Sequence, residues 1–600
     1  MIRLLCCAAA ALLCAPAAAR AAAAATTAFP PPRLPGSPFP VPARAPASVT
    51  VLNATGASFD ARVLFLSLSG VVAQAAPELF VLDAADVGGA GPTGRGAGGT
   101  TGGMSLFQLG LLPAALPVDF ALANDPVAVL RRFAHRLKGF VFCDTPPPSA
   151  ADNGSMHVAI SLAGILGAPV VTAATLPWAL AAGLAQVLDA RTLSLGDAFA
   201  QFEAAFSRTV LLNQQARNLV ATIDYAVFSR ALAFYDDELT GPFAAAALAR
   251  MAPVSAVFGW GQELDTVTAV SRFGHFVICS DAVANLPLFS SFAPPPSAAV
   301  LTAAALPACT ADPAKHTVAF GFTDGDSLTF DLGEFASPAQ DWWGSPLRGT
   351  VPVAWTFQPM LQELHPLYLA HVLAGATPND RFIGGPSGAG YAYLDQFPDG
   401  SARAAYASWT RANMARVPQM LPIVNQIQVG VFNASFEAEA VDPTAPGPAP
   451  LALFVDEYLE LTLRGRALLL NGTVVSSRRH CLASWGDVTP ASLVSPVETK
   501  TKLQGTAPST SPTQPAQLFL NRNPPLNLPV VRPTQVPLLD AGSTNSSSDE
   551  GYSFIVAEVW SYGLSALVNV SAAVDRSRVQ VVGIDEYVSC LRERVFGLSR

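Results

Sequence analysis

Charge is scarce in this chain. Of its 600 residues only 13% are Asp, Glu, Lys or Arg, and the acids outnumber the bases by 44 to 35. A net charge of −9 without any basic stripe argues against polyanion binding, so nucleic acid is not an expected partner. Neither GxSxG nor HExxH occurs, which removes the support for serine-esterase and zincin chemistry. The glycine-rich stretch 88–103 lacks the Gly-Lys-Ser/Thr ending of a phosphate loop and reads as low complexity. Cysteine is sparse too: the eight residues form no CxxC pair, which excludes a zinc framework and a dense disulfide scaffold. The first three, Cys6, Cys7 and Cys14, fall in the leader. Cys143, Cys279, Cys309, Cys481 and Cys590 remain, enough for one or two bridges with a thiol left over. The longest uncharged run, Asn153 to Leu188, is interrupted by Pro169 and Pro177. It reads as a buried helix, a strand and a second helix, so no stable membrane span is expected.

What the chain does have is apolar weight, 51% hydrophobic residues with much of it alanine, and a length that calls for two or more domains. The opening residues resemble a secretory signal over 1–21: Arg3, an apolar run from Leu4 to Leu13, then small residues to Ala21. Six N-x-S/T sequons, at Asn53, Asn153, Asn433, Asn471, Asn545 and Asn569, fit a secreted glycoprotein. The Ala/Pro-rich segment 22–47 is expected to lack structure.

From 48 to 291 helical and strand patterns alternate. Phe59 to Gln74 reads as helix, Leu79 to Leu82 and Gly139 to Phe142 as strands, and 196–206 and 214–236 as helices; strands follow at Val254 to Gly259 and His275 to Cys279. A proline-rich linker at 292–310 precedes a second set over 311–600, with strands at Val318 to Phe322, Val351 to Trp355 and Gln426 to Phe432. Within it, the Pro/Ser/Thr-rich stretch from about 485 to 550 reads as a surface insertion. The prediction is an α/β protein: an N-terminal α/β domain with a mainly parallel sheet, then an (α/β) barrel-like C-terminal domain with its ligand at the carboxyl ends of the strands.

Two motifs of this second half carry the functional reading. Thr323-Asp324-Gly325-Asp326-Ser327 places two carboxylates at the end of an apolar strand, and Gly388-Ala389-Gly390-Tyr391-Ala392-Tyr393 packs glycines among tyrosines. Together with WWGSPLRG at 342–349, PVAWTFQP at 352–359 and ATPNDRFIGG leading into the tyrosine motif, these segments resemble the GxGYxYP family of putative glycoside hydrolases. The region 45–300 resembles the family's N-terminal part through LSGVVAQAAPELFVL, KGFVF, FGWGQE and NLPLFSSF. The final proline of the motif is replaced here by Leu394. The resemblance implies a glycoside hydrolase or deacetylase-like barrel acting on carbohydrate.

The candidate acids are Asp324, Asp326, Asp380, Asp395 and Glu558, because glycosidases use a pair of carboxyl groups. Asp324 and Asp326 could equally hold a divalent cation; no other cofactor is expected. Tyr391, Tyr393, Trp343 and Trp355 are candidate sugar-stacking aromatics, with Trp342 beside them. Gly388 and Gly390 would let a ligand approach the main chain, and Arg348 could pair with a carboxylate or an acidic substrate. His365 and His371 are six residues apart on a predicted helix and point to different faces, so they are read as structural. The leading reading is a secreted glycoside hydrolase. The alternatives are a metal-dependent polysaccharide deacetylase and a non-catalytic extracellular glycan-binding protein.

Overall fold

The structure, a computed structural model, describes residues 29–31, 33–83, 102–146, 154–214, 222–235, 238–239, 241–280, 283–293, 306–325, 327–335, 341–428, 450, 452–457, 467–470, 473–477, 480–482, 551–557, 559 and 562–598. The expected signal at 1–21 and the insertion at 485–550 lie outside them. Two compact units emerge. Unit 1 comprises 1–266, 279–296 and 361–375; unit 2 comprises 267–278, 297–360 and 376–600.

Unit 1 repeats one motif three times. β1 (Val49–Asn53) lies between β2 (Leu79–Leu82) and β3 (Val118–Asp119), all parallel. β4 (Phe140–Phe142) lies between β5 (Val170–Val171) and β6 (Gln186–Asp189) in the same way. β7 (Val210–Gln214) again lies between β8 (Leu232–Tyr235) and β9 (Ala256–Gly259). In each case the first strand is central and its first crossover is a helix: Phe59–Ala73, Ser155–Leu166 and Ile223–Ser229. These three helices pack on one another. Glycine makes the approach close: a Cβ at Gly70 would meet the Asp224 carbonyl, and one at Gly164 would meet that of Val227. Gln74 seals the junction, donating from Nε2 to the carbonyls of Gly164 (2.8 Å) and Val227 (3.2 Å).

The parallel character is as expected, but it is spread over three small sheets. The uncharged run 153–188 forms helix, strand and helix as read, and among the described residues no helix is long and apolar enough to cross a membrane. Two expectations are corrected. The helix over 214–236 contains the strand β8: Arg230 takes φ 58° and ends the helix, and Leu232–Tyr235 enters the sheet fully buried. The segment 22–47, expected to lack structure, is docked from Phe29 onward. Leu34 N and Ser37 Oγ donate to the buried Glu363 carboxylate (3.0 and 2.5 Å), Arg33 Nη2 donates to the Ser290 carbonyl (2.6 Å), and Phe39 packs edge-on against Phe258. A buried carboxylate needs such donors, a demand that composition does not reveal.

Unit 2 opens with β10 (Phe276–Cys279, of which 276–278 belong to this unit) and is dominated by one large sheet. That sheet contains β11 (His316–Phe322), β12 (Val353–Phe357), β13 (Asp380–Gly384), β14 (Met420–Gln428), β15 (Ala452–Glu457), β16 (Ala467–Leu470), β17 (Thr473–Ser477), β18 (His480–Leu482), β19 (Tyr552–Ala557) and β20 (Val579–Val581). The order is β16-β17-β15-β14-β13-β12-β11-β19-β18, with β20 also paired to β11. All described pairings are parallel except β16 with β17. The sheet curls into a half-barrel, which satisfies the barrel-like expectation without closure. β11 is buried along its whole length, as a central parallel strand covered on both faces should be.

Candidate active site

The carboxyl end of β11 is the best-defined feature of the expected site. The chain leaves the strand through Thr323, Asp324 and Gly325, and Asp324 takes φ 66°, a left-handed conformation uncommon for a residue with a side chain. Asp324 is half-buried. Neighbouring strand ends hold the turn. Thr323 N donates to the Ala557 carbonyl at the end of β19 (3.1 Å). Gly325 N donates to Thr356 Oγ1 (3.0 Å), whose own hydroxyl donates to the Phe322 carbonyl (2.9 Å). A Cβ at Gly325 would collide with the Thr356 carbonyl, so glycine is required there. Beyond β13, Gly385 donates to the Phe357 carbonyl (2.8 Å) and backs onto Gly325. Three consecutive strand ends thus meet at one turn. Ser327 resumes as the N-cap of the next helical turn, accepting from Phe330 N.

The tyrosine motif follows β13 as a tightly folded loop. Ser387 Oγ donates to the Ala392 carbonyl (2.6 Å), and Tyr406 Oη donates to the Gly390 carbonyl from the helix Gly400–Met414. Ala389 N donates to Thr410 Oγ1 (3.2 Å). Tyr391 pairs main chain to main chain with Val277 (2.8 Å in both directions), and Tyr393 N donates to Ser271 Oγ (3.0 Å).

Residues 314–592 match the GxGYxYP putative glycoside hydrolase C-terminal domain, and residues 208–291 match the GxGYxYP third domain. The chain belongs to the GxGYxYP family. It is also similar to a crystal structure of a putative hydrolase from Bacteroides thetaiotaomicron VPI-5482, with a TM-score of 0.74 at 19% identity over 95% of this chain and 99% of that one. At that identity the likeness speaks for the fold. No curated protein matches the chain.

Within this GxGYxYP protein the tyrosines are core residues. Tyr391 and Tyr393 are buried, their rings edge to face at 5.6 Å. Both were candidates for sugar stacking, yet neither ring presents a face to solvent. Gly388 (φ 103°) and Gly390 (φ 150°) give their missing Cβ volume to Thr410 and Phe276. Leu394, in place of the family's proline, is buried and starts a short 3-10 turn.

A second group of candidates converges on Asp380, at the amino end of β13. Its carboxylate accepts from Trp355 Nε1 (2.8 Å) on one oxygen, and from Thr377 N (2.8 Å) and Arg348 Nη1 (3.0 Å) on the other. Arg348 lies over the Trp343 ring at 4.2 Å, and Trp343 meets Trp355 edge to face. Trp343 and Trp355 are 4% and 1% exposed, and Trp342 donates Nε1 to the Tyr562 carbonyl. The structure therefore brings Asp380, Arg348, Trp343 and Trp355 together, but as a saturated anchor away from the carboxyl ends. Asp395 lies apart in the 3-10 turn, half-buried and accepting from Gln396 Nε2 (2.9 Å). Asp326 and Glu558 lie outside the described residues. Among the described residues no cluster of three or more metal-ligating side chains forms.

Thr356 and Gly385 are the site residues that the sequence reading passed over. Both sit in quoted motifs, directly at strand ends. The alternating pattern around Thr356 marks it only as a strand residue, with nothing to show that its hydroxyl reaches the next loop.

Proposed function

We propose that this GxGYxYP protein is exported and hydrolyses glycosidic bonds in a glycan substrate. Asp324 is assigned as one carboxyl group of the reacting pair, and Asp326, two residues on in the sequence, is the first choice for the other. One acid protonates the departing oxygen; the second activates water or attacks the anomeric carbon. The observation that carries the reading is the position of Asp324: half-buried, at the carboxyl end of a central parallel strand, on a turn held by its neighbours. Asp380 is left out of the pair because three donors already occupy its carboxylate at the opposite end of the strand. Export is supported by the signal-like opening, the sequons and a disulfide, Cys309–Cys590, a bond that persists in oxidising compartments.

The test is turnover of 4-nitrophenyl glycosides and polysaccharides by purified protein. Asp324→Asn and Asp326→Asn are each expected to lower kcat by about 10²- to 10⁴-fold, the usual contribution of a general acid or base, while unfolding curves stay unchanged. Undiminished turnover in both variants would sink the assignment. Sugar binding without product in the wild type would convert the reading to a binding protein.

A further inference from the structure

We infer that Thr356 is a positioning residue for Asp324, a role that rests on the hydrolase reading above. The register of the sheet shows why a hydroxyl is needed at this point. The last ladder partner of β11 is Phe322, opposite Trp355 on β12; Thr356 is the next residue of β12. Beyond that pair the chain turns away, and Phe322 and Gly325 frame the bend. They are the first and fourth residues of the turn that carries Asp324 third, at φ 66°. Thr356 Oγ1 stands between them, accepting from Gly325 N at 3.0 Å and donating to Phe322 O at 2.9 Å. A hydroxyl can do both at once; an apolar side chain can do neither.

The bridge sets the width of the turn, and so the place of the Asp324 carboxyl. Thr356 is itself held: it is buried in a fully buried strand, and its own carbonyl also lies close against Gly325. Gly385 backs the same residue: a Cβ there would come within 3.1 Å of the Gly325 carbonyl group. Thr356 is not assigned any contact with a reacting atom. It acts by fixing where the acid stands, and misplacement of a reacting group by about 1 Å can cost on the order of 10²-fold in rate.

Thr356→Val keeps shape, burial and strand preference and removes both hydrogen bonds; Thr356→Ser restores the hydroxyl. The experiment measures kcat, KM and the pH profile of kcat/KM, on the 4-nitrophenyl glycoside that the wild type turns over best, well below the unfolding temperature of every variant. The expected result for Thr356→Val is a fall in kcat of about 10²-fold with KM little changed and the acid limb of the profile displaced, and for Thr356→Ser a recovery of most of the rate. A lower unfolding temperature with wild-type kcat and pH profile would show a purely structural side chain and overturn the inference. The two failures separate cleanly. If Asp324→Asn is inactive while Thr356→Val is not impaired, only the positioning role falls. If Asp324→Asn retains full turnover, the hydrolase assignment falls and takes this role with it.

Discussion

Asp224 and His365, both fully buried in unit 1, are driven by burial in opposite directions. Asp224 accepts from the backbone N–H groups of Tyr225 and Asn285, yet desolvation raises its carboxyl from 3.8 to about 7. His365 stacks on Phe289 and caps a helix by accepting from Tyr368 N, and desolvation lowers its imidazole from 6.5 to about 3. For Asp224, the unfolded chain is ionised between pH 3.8 and 7 while the folded chain stays protonated, so its contribution is full below 3.8 and is lost as pH rises through 7. For His365, the unfolded chain is charged below 6.5 while the folded chain stays neutral, so its contribution is full above 6.5 and is lost as pH falls through 3. Between about pH 4 and 6.5 the two slopes offset each other. Urea unfolding across that window is expected to show a nearly flat wild type, stability falling on acidification in Asp224→Asn, and stability rising on acidification in His365→Asn, which keeps a helix cap. Equal slopes in all three proteins would contradict the assignment. Neither group was legible in the sequence as a titrating one. The place of Asp324 just beyond an apolar strand was legible, because the run from Val318 to Phe322 marks that strand. Tyr391 was misread because glycine's freedom can serve packing against Phe276 as readily as ligand approach.

At the scale of elements, the three small sheets of unit 1 share a liability. Their second strands, β2, β5 and β8, all lie at the end of the strand order, where backbone groups face no further strand of the sheet. A polar side chain from another repeat, or one held by another repeat, serves each one. Ser67 Oγ, on the first repeat's helix, accepts from Val170 N of β5 (2.9 Å). Ser161 Oγ, on the second repeat's helix, accepts from Ala233 N of β8 (2.9 Å). Asn285, itself held by Asp224 of the third repeat's helix, takes Val81 N of β2 (2.9 Å) and returns a bond to Val81 O (3.0 Å). The pattern runs first to second, second to third, third to first, and closes. Ser67→Ala and Ser161→Ala each strand a buried N–H and are expected to cost about 1–3 kcal/mol in chemical denaturation. Costs within about 0.5 kcal/mol, the range of an indifferent surface change, would refute the capping role. Alternation of strand and helix was readable along the chain. The threefold partition was not, because the third repeat has a shorter interval from first to second strand than the other two and strands as short as β5 carry no period of their own.

For the whole of unit 2, the decisive fact is that the segment leading into its large sheet meets the last elements of the chain. β11 opens the large sheet near its middle, and β20, close to the C-terminus, pairs with that same strand. The helix Ile584–Cys590 then packs on the sheet's core, where Tyr587, Val588 and Leu591 join Leu306 and Ala311 from the segment leading into β11. The Cys309–Cys590 bridge spans 281 residues at this junction, while Cys143 and Cys279 remain as buried thiols. Spacing alone could not select this pair from five cysteines; the return of the chain to its first strand does. A link across so long a loop removes much of the freedom of the unfolded chain, an effect of about 2–5 kcal/mol by loop-closure reasoning. Cys590→Ser is therefore expected to lower the denaturant midpoint of unit 2, and dithiothreitol to lower that of the wild type to the same value while leaving the variant unmoved. A reductant effect that persists undiminished in Cys590→Ser would place the stabilising bond elsewhere. No effect in either protein would mean that the apolar junction of Tyr587, Leu591 and Leu306 holds the ends together without it.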